Sequence, residues 1–217
     1  MHCSPTQAEE RMFTMRKIIA VLLFICMLTA LTACTGKKTD TSAKDKEKME
    51  ELFQKVCSAD EALKLSKESD VVVMEDLKCT SGKAVWDDFY ESVSAGKSAS
   101  VLCAKYYTID KEHMSEELYE QEKDDYPCLY FTLLEYDGNT FSIKVRLSSS
   151  EKNEREDSYK YLQHFTGNAP ATALYSTYDY YVLVDEKAEN WEEIEAGLFS
   201  SQYGTYRKHD IIYADYK

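Results

Sequence analysis

The stretch that most narrows the possible folds is Cys128 to Leu147. Two apolar arms, Cys128 to Tyr136 and Phe141 to Leu147, flank Asp137-Gly138-Asn139-Thr140. An Asp-Gly turn between apolar runs is a hairpin signal, because glycine takes the positive φ that tight hairpins need. The second arm alternates, with Phe141, Ile143, Val145 and Leu147 on one face and Ser142, Lys144 and Arg146 on the other. That pattern predicts an antiparallel sheet with one covered face and one half-solvated face.

Around this hairpin the periodicity predicts an α+β domain. Met49, Leu52, Phe53 and Val56 recur at helical spacing. Ser58 and Glu61 form an S-x-x-E capping box for a second helix, and Val71 to Met74 reads as a buried strand. Lys83 to Ala95 is amphipathic, with Val85, Trp86, Phe89 and Val93 on one stripe, and Gly96 stands where a terminating glycine belongs. Ser100 to Thr108 reads as strand, Lys111 to Asp125 as an acidic loop with a helical turn, and Ser148 to Asp157 as a polar loop. Two more strands are expected, over Ser158 to Phe165 and Tyr178 to Asp185. A capped helix follows at Asn190 to Leu198, and Asp210 to Ala214 reads as a last strand. Consecutive strands joined by short turns favour an antiparallel meander with helices packed on one face.

The N-terminal part has a different logic. Arg16 and Lys17 precede an uncharged run from Ile18 to Ala33. The run is shorter than the roughly 20 residues of a spanning helix and lacks a positive stop-transfer flank, so it reads as a signal peptide. It closes on Leu31-Thr32-Ala33-Cys34, which resembles a bacterial lipobox, with Leu three residues before the cysteine and small residues between. A diacylglyceryl thioether on Cys34 would anchor the protein to the extracytoplasmic face of the cell membrane without a spanning helix. The expected organisation is therefore a signal peptide over residues 1–33, a flexible polar tether over 34–48, and a single extracytoplasmic domain over 49–217. Met12 or Met15 fits a signal start better than Met1.

Composition limits the partners. A net charge of −13 opposes nucleic acid and anionic lipid, so neither is expected. Of seven cysteines, Cys3 and Cys26 leave with the signal and Cys34 carries lipid, which leaves Cys57, Cys79, Cys103 and Cys128. Four exported cysteines allow three pairings, and free thiols are equally consistent with the spacing. Without a CxxC or histidines at ligand spacing, no metal or other cofactor is expected.

No catalytic constellation stands out. His113, His164 and His209 are far apart in sequence. Ser200-Ser201-Gln202 lacks the nucleophile-elbow glycines, and the carboxylate pairs fall on polar faces. The unusual feature is seventeen tyrosines, all from Tyr90 onward. Tyrosine suits both a half-buried sheet and a recognition surface. Tyr178, Tyr180 and Tyr181 place aromatics on both faces of one strand, which makes them the candidate binding face.

A resemblance bears on this reading. Ser58-Ala59-Asp60-Glu61-Ala62, Val71-Val72-Val73, Trp86 through Gly96-Lys97 and Glu135-Tyr136-Asp137-Gly138 resemble, in the same order, a family of small Gram-positive lipoproteins of unknown function. The resemblance covers about Ser58 to Ser148, and the acidic Lys111 to Asp125 segment and the tyrosine-rich C-terminal part depart from it. It implies an envelope location and an element order, and it assigns no catalytic residue. The function expected is a non-catalytic binding or interaction module with an envelope protein, secreted protein or glycan as partner. The alternatives are an envelope hydrolase using dispersed carboxylates or His164, and an inhibitor presenting the acidic loop to a basic secreted enzyme.

Overall fold

The computed structural model describes residues 39–170, 173, 175–199 and 206–217. The expected signal peptide, the expected lipobox Leu31-Thr32-Ala33-Cys34 and the Ser200-Ser201-Gln202 segment lie outside the described residues. Helix α1 spans Thr39–Gln54, so it begins inside the polar stretch expected as a tether. Helix α2 (Ala59–Lys67) starts at Ser58, whose side chain accepts from Glu61 N as the capping box requires. Strands β1 (Val72–Glu75) and β2 (Lys78–Ser81) form a hairpin, followed by α3 (Lys83–Ser94) and β3 (Ala99–Tyr107). The acidic segment folds as short turns around helix α4 (Glu116–Glu122). Strands β4 (Cys128–Tyr136), β5 (Phe141–Leu147), β6 (Asn153–Tyr159), β7 (Tyr161–Asn168) and β8 (Thr177–Val184) follow. Helix α5 (Trp191–Phe199) and strand β9 (His209–Ala214) close the chain.

The α+β class with mostly antiparallel strands is what the chain adopts. The strands make a six-stranded sheet, β2-β1-β3-β4-β5-β6, and a three-stranded antiparallel sheet, β7-β8-β9. Within the larger sheet β1 and β3 run parallel, joined through β2 and α3. The expected hairpin forms with Tyr136 opposite Phe141. Asp137 holds its turn by accepting from Asn139 N at 2.7 Å and Thr140 N at 2.8 Å. Helix α3 ends as its glycine predicts. Gly96 N donates to Val93 O and Lys97 N to Ser92 O, with Gly96 at φ +68.

The layering differs from a sheet covered on one face. Val71, Val73, Leu102, Ala104, Leu129 and Phe131 pack against Phe53 of α1 and Ala62 of α2. On the opposite face Val72, Met74, Val101, Cys103, Leu134 and Ile143 pack against Trp86 and Phe89 of α3 and against Tyr181, Leu183, Ile212 and Tyr213 of the small sheet. Helices therefore cover both faces, because β3 carries the unbroken apolar run Val101-Leu102-Cys103-Ala104, which buries both sides. The outer face of the small sheet makes a third cluster with Trp191 and Ile194 of α5.

Two local readings are corrected and one strand is added. Asn153–Tyr159 is the edge strand β6, not part of a polar loop. Its charge suits an edge, where lysine, glutamate and arginine discourage pairing with another chain. Strand β2 exists because Asp76 and Leu77 take φ of +47 and +66, making a tight turn with no glycine. That turn is pinned, since Asp76 accepts from the Thr108 amide and hydroxyl, each at 2.8 Å, and Leu77 O accepts from Tyr216 N at 3.1 Å. Arg146, assigned to the solvated face of β5, is fully buried. Gly82, just before α3, is also fixed by packing, since a Cβ there would lie 2.0 Å from Val71 O.

Candidate binding cavity between the sheets

The inner face of β3 reads Val101, Cys103, Lys105, Tyr107, so it changes from apolar to polar along its length. Cross-strand register carries this change across the sheet. Lys105 is opposite Tyr130, Tyr130 opposite Leu147, and two residues back along β5, on the same face, Val145 is opposite Arg155. Lys105 and Arg155 thus share one face from strands three positions apart. Edge strand β9 of the small sheet lies against this face. Lys105 Nζ donates to Ile211 O at 2.6 Å, and Arg155 Nη2 bonds Asp210 Oδ2.

Between them is a cavity of about 380 Å³. Met74, the strained Leu77, Tyr107 and Ile211 give it apolar surface, and Lys105, Arg155, His209 and Asp210 give it charge and hydrogen-bonding groups. The rim is open, with the Arg155 side chain 43% exposed, whereas that of Asp210 is 11% exposed. Burial lowers the Lys105 pKa, with nearby Asp210 opposing the shift. Burial also disfavours the charged form of Arg155, but Asp210 outweighs it and the pKa is raised. His209 Nδ1 is 2.8 Å from Arg207 O, so the ring is held through that nitrogen. Asp210 is the single carboxylate among the cavity-lining residues, and a carboxylate-pair hydrolase needs two across its cleft.

The candidate binding face of tyrosines does not exist as one surface. Tyr181 is buried with Trp86, Tyr90 and Tyr213, while Tyr180 is buried on the other side of β8 against Trp191. Alternation along the strand sends them to opposite faces. Tyr178 stacks on Tyr180 with ring centroids 4.7 Å apart. Of the three, Tyr180 borders the cavity, and its hydroxyl donates to that of Tyr216 at 2.7 Å.

His164 bonds Asp179 at 2.7 Å and lies flat on Tyr181, with centroids 4.1 Å apart. His113 pairs with Asp110 at an exposed turn. Cys57, Cys79, Cys103 and Cys128 are free thiols. Cys103 is buried, which pushes its pKa up to about 12 and keeps it from reacting as a thiolate. Among the described residues no group of three or more His, Cys, Asp or Glu is placed to hold a metal ion, and no helix is long and apolar enough to cross a membrane.

Three of the tyrosines are expected to give stability an alkaline limit. Burial pushes Tyr107 and Tyr159 up to about 12, and burial with the Asp60 hydrogen bond does the same to Tyr106, from an ordinary value of 10.0. These groups stay protonated in the folded chain while the unfolded chain ionises. Their contribution is complete below pH 10 and is lost as pH rises toward 12. Urea midpoints are expected to hold up to about pH 9 and then fall steeply between about pH 10 and 11.5. A flat midpoint across that window would show that these hydroxyls are not held neutral.

No known protein family, characterised protein or solved structure matches the chain.

Proposed function

We propose that the chain is a lipid-anchored extracytoplasmic binding protein that does not turn over its ligand. The observation that carries the binding role is the cavity between the sheets. Its size falls within the range of small-molecule sites, and a few polar groups converge on an otherwise apolar lining. The protein's own groups already engage its charges, Lys105 with a carbonyl and Arg155 with Asp210, an arrangement suited to holding a ligand. The location rests on the charged start, the uncharged run and Leu31-Thr32-Ala33-Cys34.

The location is tested by expressing the full chain in a Gram-positive host with radiolabelled palmitate. The wild type is expected to take up label, to sediment with membranes and to be cleaved by protease added to intact cells. Cys34→Ala is expected to lose the label entirely. Two acyl chains provide the anchor, at about 0.8 kcal/mol per buried CH₂. Label retained in Cys34→Ala, or a wild type shielded from external protease, would overturn this placement.

A further inference from the structure

We infer that the cavity between the sheets is a site for a small organic monoanion, with a carboxylate seated between Lys105 and Arg155 and an apolar body against Met74, Leu77 and Tyr107. The inference rests on the binding-protein reading above and names its ligand class.

The charge pattern comes first. The chain carries a net charge of −13, yet this cavity is lined by two cations and one carboxylate, Asp210. Asp157 lies 3.8 Å from Arg155, but its other oxygen is held by Lys208 at 2.8 Å. The lining is thus a positive spot on an acidic chain, which favours an anion over a cation of the same shape.

The donors come second. An ammonium has three N–H groups and a guanidinium five. Lys105 gives one bond to Ile211 O, and Arg155 bonds Asp210 through Nη2 while its Nη1 lies 3.8 Å from Asp157, beyond hydrogen-bond distance. Donors remain on both, one deep against the β9 backbone and one at the rim. An arginine fork and a lysine point charge together suit a carboxylate, whose two oxygens can each accept.

Shape comes third. At ~30 Å³ per water, the cavity has the volume of about a dozen waters, which sets the scale for a body of similar atom count. Met74, Leu77, Tyr107, Ile211 and Ala214 offer it carbon surface. If Lys105 and Arg155 served solely to fasten β9 to the larger sheet, close packing would fill the space beside them. That space is open, and its rim is the turn where Leu77 is held at φ +66.

The test uses the full chain in mild nonionic detergent and three probes of matched size: 3-phenylpropionate, 3-phenylpropionamide and 3-phenylpropylamine, titrated by calorimetry at neutral pH. The carboxylate is expected to bind at least about tenfold more tightly than the amide or the amine, as charge-assisted hydrogen bonds imply. Lys105→Gln and Arg155→Gln are each expected to weaken the carboxylate by about tenfold or more and to leave the amide unchanged. Glutamine at 105 keeps a donor for Ile211 O, and the three-probe comparison on the wild type needs no variant to fold. Amide or amine binding as tight as the carboxylate would overturn the anion assignment and leave the binding-protein reading standing. Silence from all three probes would overturn the inference, while the palmitate experiment judges the anchored placement separately. Carboxylate binding unchanged in both variants would move the site elsewhere and overturn it as well.

Discussion

Replacing Arg146 with alanine is expected to destabilise the fold by about 3–5 kcal/mol, among the largest effects of any single substitution in this chain. The guanidinium is fully buried, and among the described residues no carboxylate pairs with it. It is satisfied by carbonyls instead. Nε donates to Phe53 O at 2.6 Å, Nη2 to Lys55 O at 2.8 Å, and Nη1 to Leu147 O at 3.2 Å and to Ser150 O. Phe53 lies in the last turn of α1, where carbonyls lack intrahelical partners, and Lys55 just follows it. Leu147 and Ser150 bracket the turn between β5 and β6. One side chain thus clamps the end of α1 to the sheet, and it faces the rings of Phe53 and Phe131 at 5.5 and 5.7 Å. Alanine leaves four carbonyls without that donor, at about 1–3 kcal/mol for each that stays dry, and opens a void besides. Lysine is expected to recover less than half of the loss, because a point charge cannot span the fork's directions. Urea unfolding checks both variants. A drop below about 1 kcal/mol for alanine would mean that water replaces the guanidinium freely.

Arg146 also shows where sequence reasoning stops. Alternation along β5 placed it with Ser142 and Lys144, and that placement is geometrically sound. What the pattern lacks is the helix on that side of the sheet, whose C-terminal carbonyls turn a solvated position into a buried one. The hairpin, the Ser58 and Asn190 caps and the Gly96 stop were legible because each is decided within a few residues by backbone chemistry. Strand β6 was not, since Asn-Glu-Arg-Glu-Asp has low strand propensity and is held by pairing with β5. Strand β2 was hidden for a related reason, as its turn is fixed by Thr108 and Tyr216, far away in sequence. The expected meander holds from β3 to β6, and then the chain leaves the larger sheet at Lys160 and starts another. The cavity follows from that break. Its one trace in the sequence is Lys105, a lysine on the core-facing period Val101, Cys103, Lys105, Tyr107. Arg155 and Asp210 meet it through pairing across two sheets, which no local pattern encodes. The proposed anchor is the reverse case, resting on sequence alone.

The break between sheets also sets the second large effect. Trp86→Ala is expected to lower stability by about 3–5 kcal/mol, as for other buried aromatic truncations, and to loosen the small sheet from the larger one. Trp86 projects from α3 and is fully buried where the two sheets meet. Its ring stacks on Tyr213 of β9 at 5.0 Å and meets Tyr181 of β8 edge-on at 5.0 Å. Phe89, one turn along α3, lies 5.5 Å away. The contacts of this one ring therefore tie a helix on the larger sheet to two strands of the smaller. Among the described residues, Trp86 Nε1 and Tyr213 Oη are buried without a well-formed hydrogen bond, with the Tyr181 hydroxyl beside the first and the Cys79 thiol, a weak partner, beside the second. That separates packing from polarity. Trp86→Phe removes that N–H and part of the ring, so it is expected to cost about 1–2 kcal/mol, well below alanine. Tyr213→Phe removes a hydroxyl whose polar neighbour is the weakly bonding Cys79 thiol and keeps the stack, so it is expected to be close to neutral. If Tyr213→Phe instead lost more than about 2 kcal/mol, the hydroxyl would have to be bonded in solution, and the seam between the sheets would be polar, not dry. Hydrogen exchange on Trp86→Ala is expected to show faster exchange in β7, β8 and β9 than in β3 and β4, because the larger sheet keeps its second face packed on α1 and α2. Equal acceleration in both sheets would mean that they unfold as one unit, with Trp86 contributing to a single shared core.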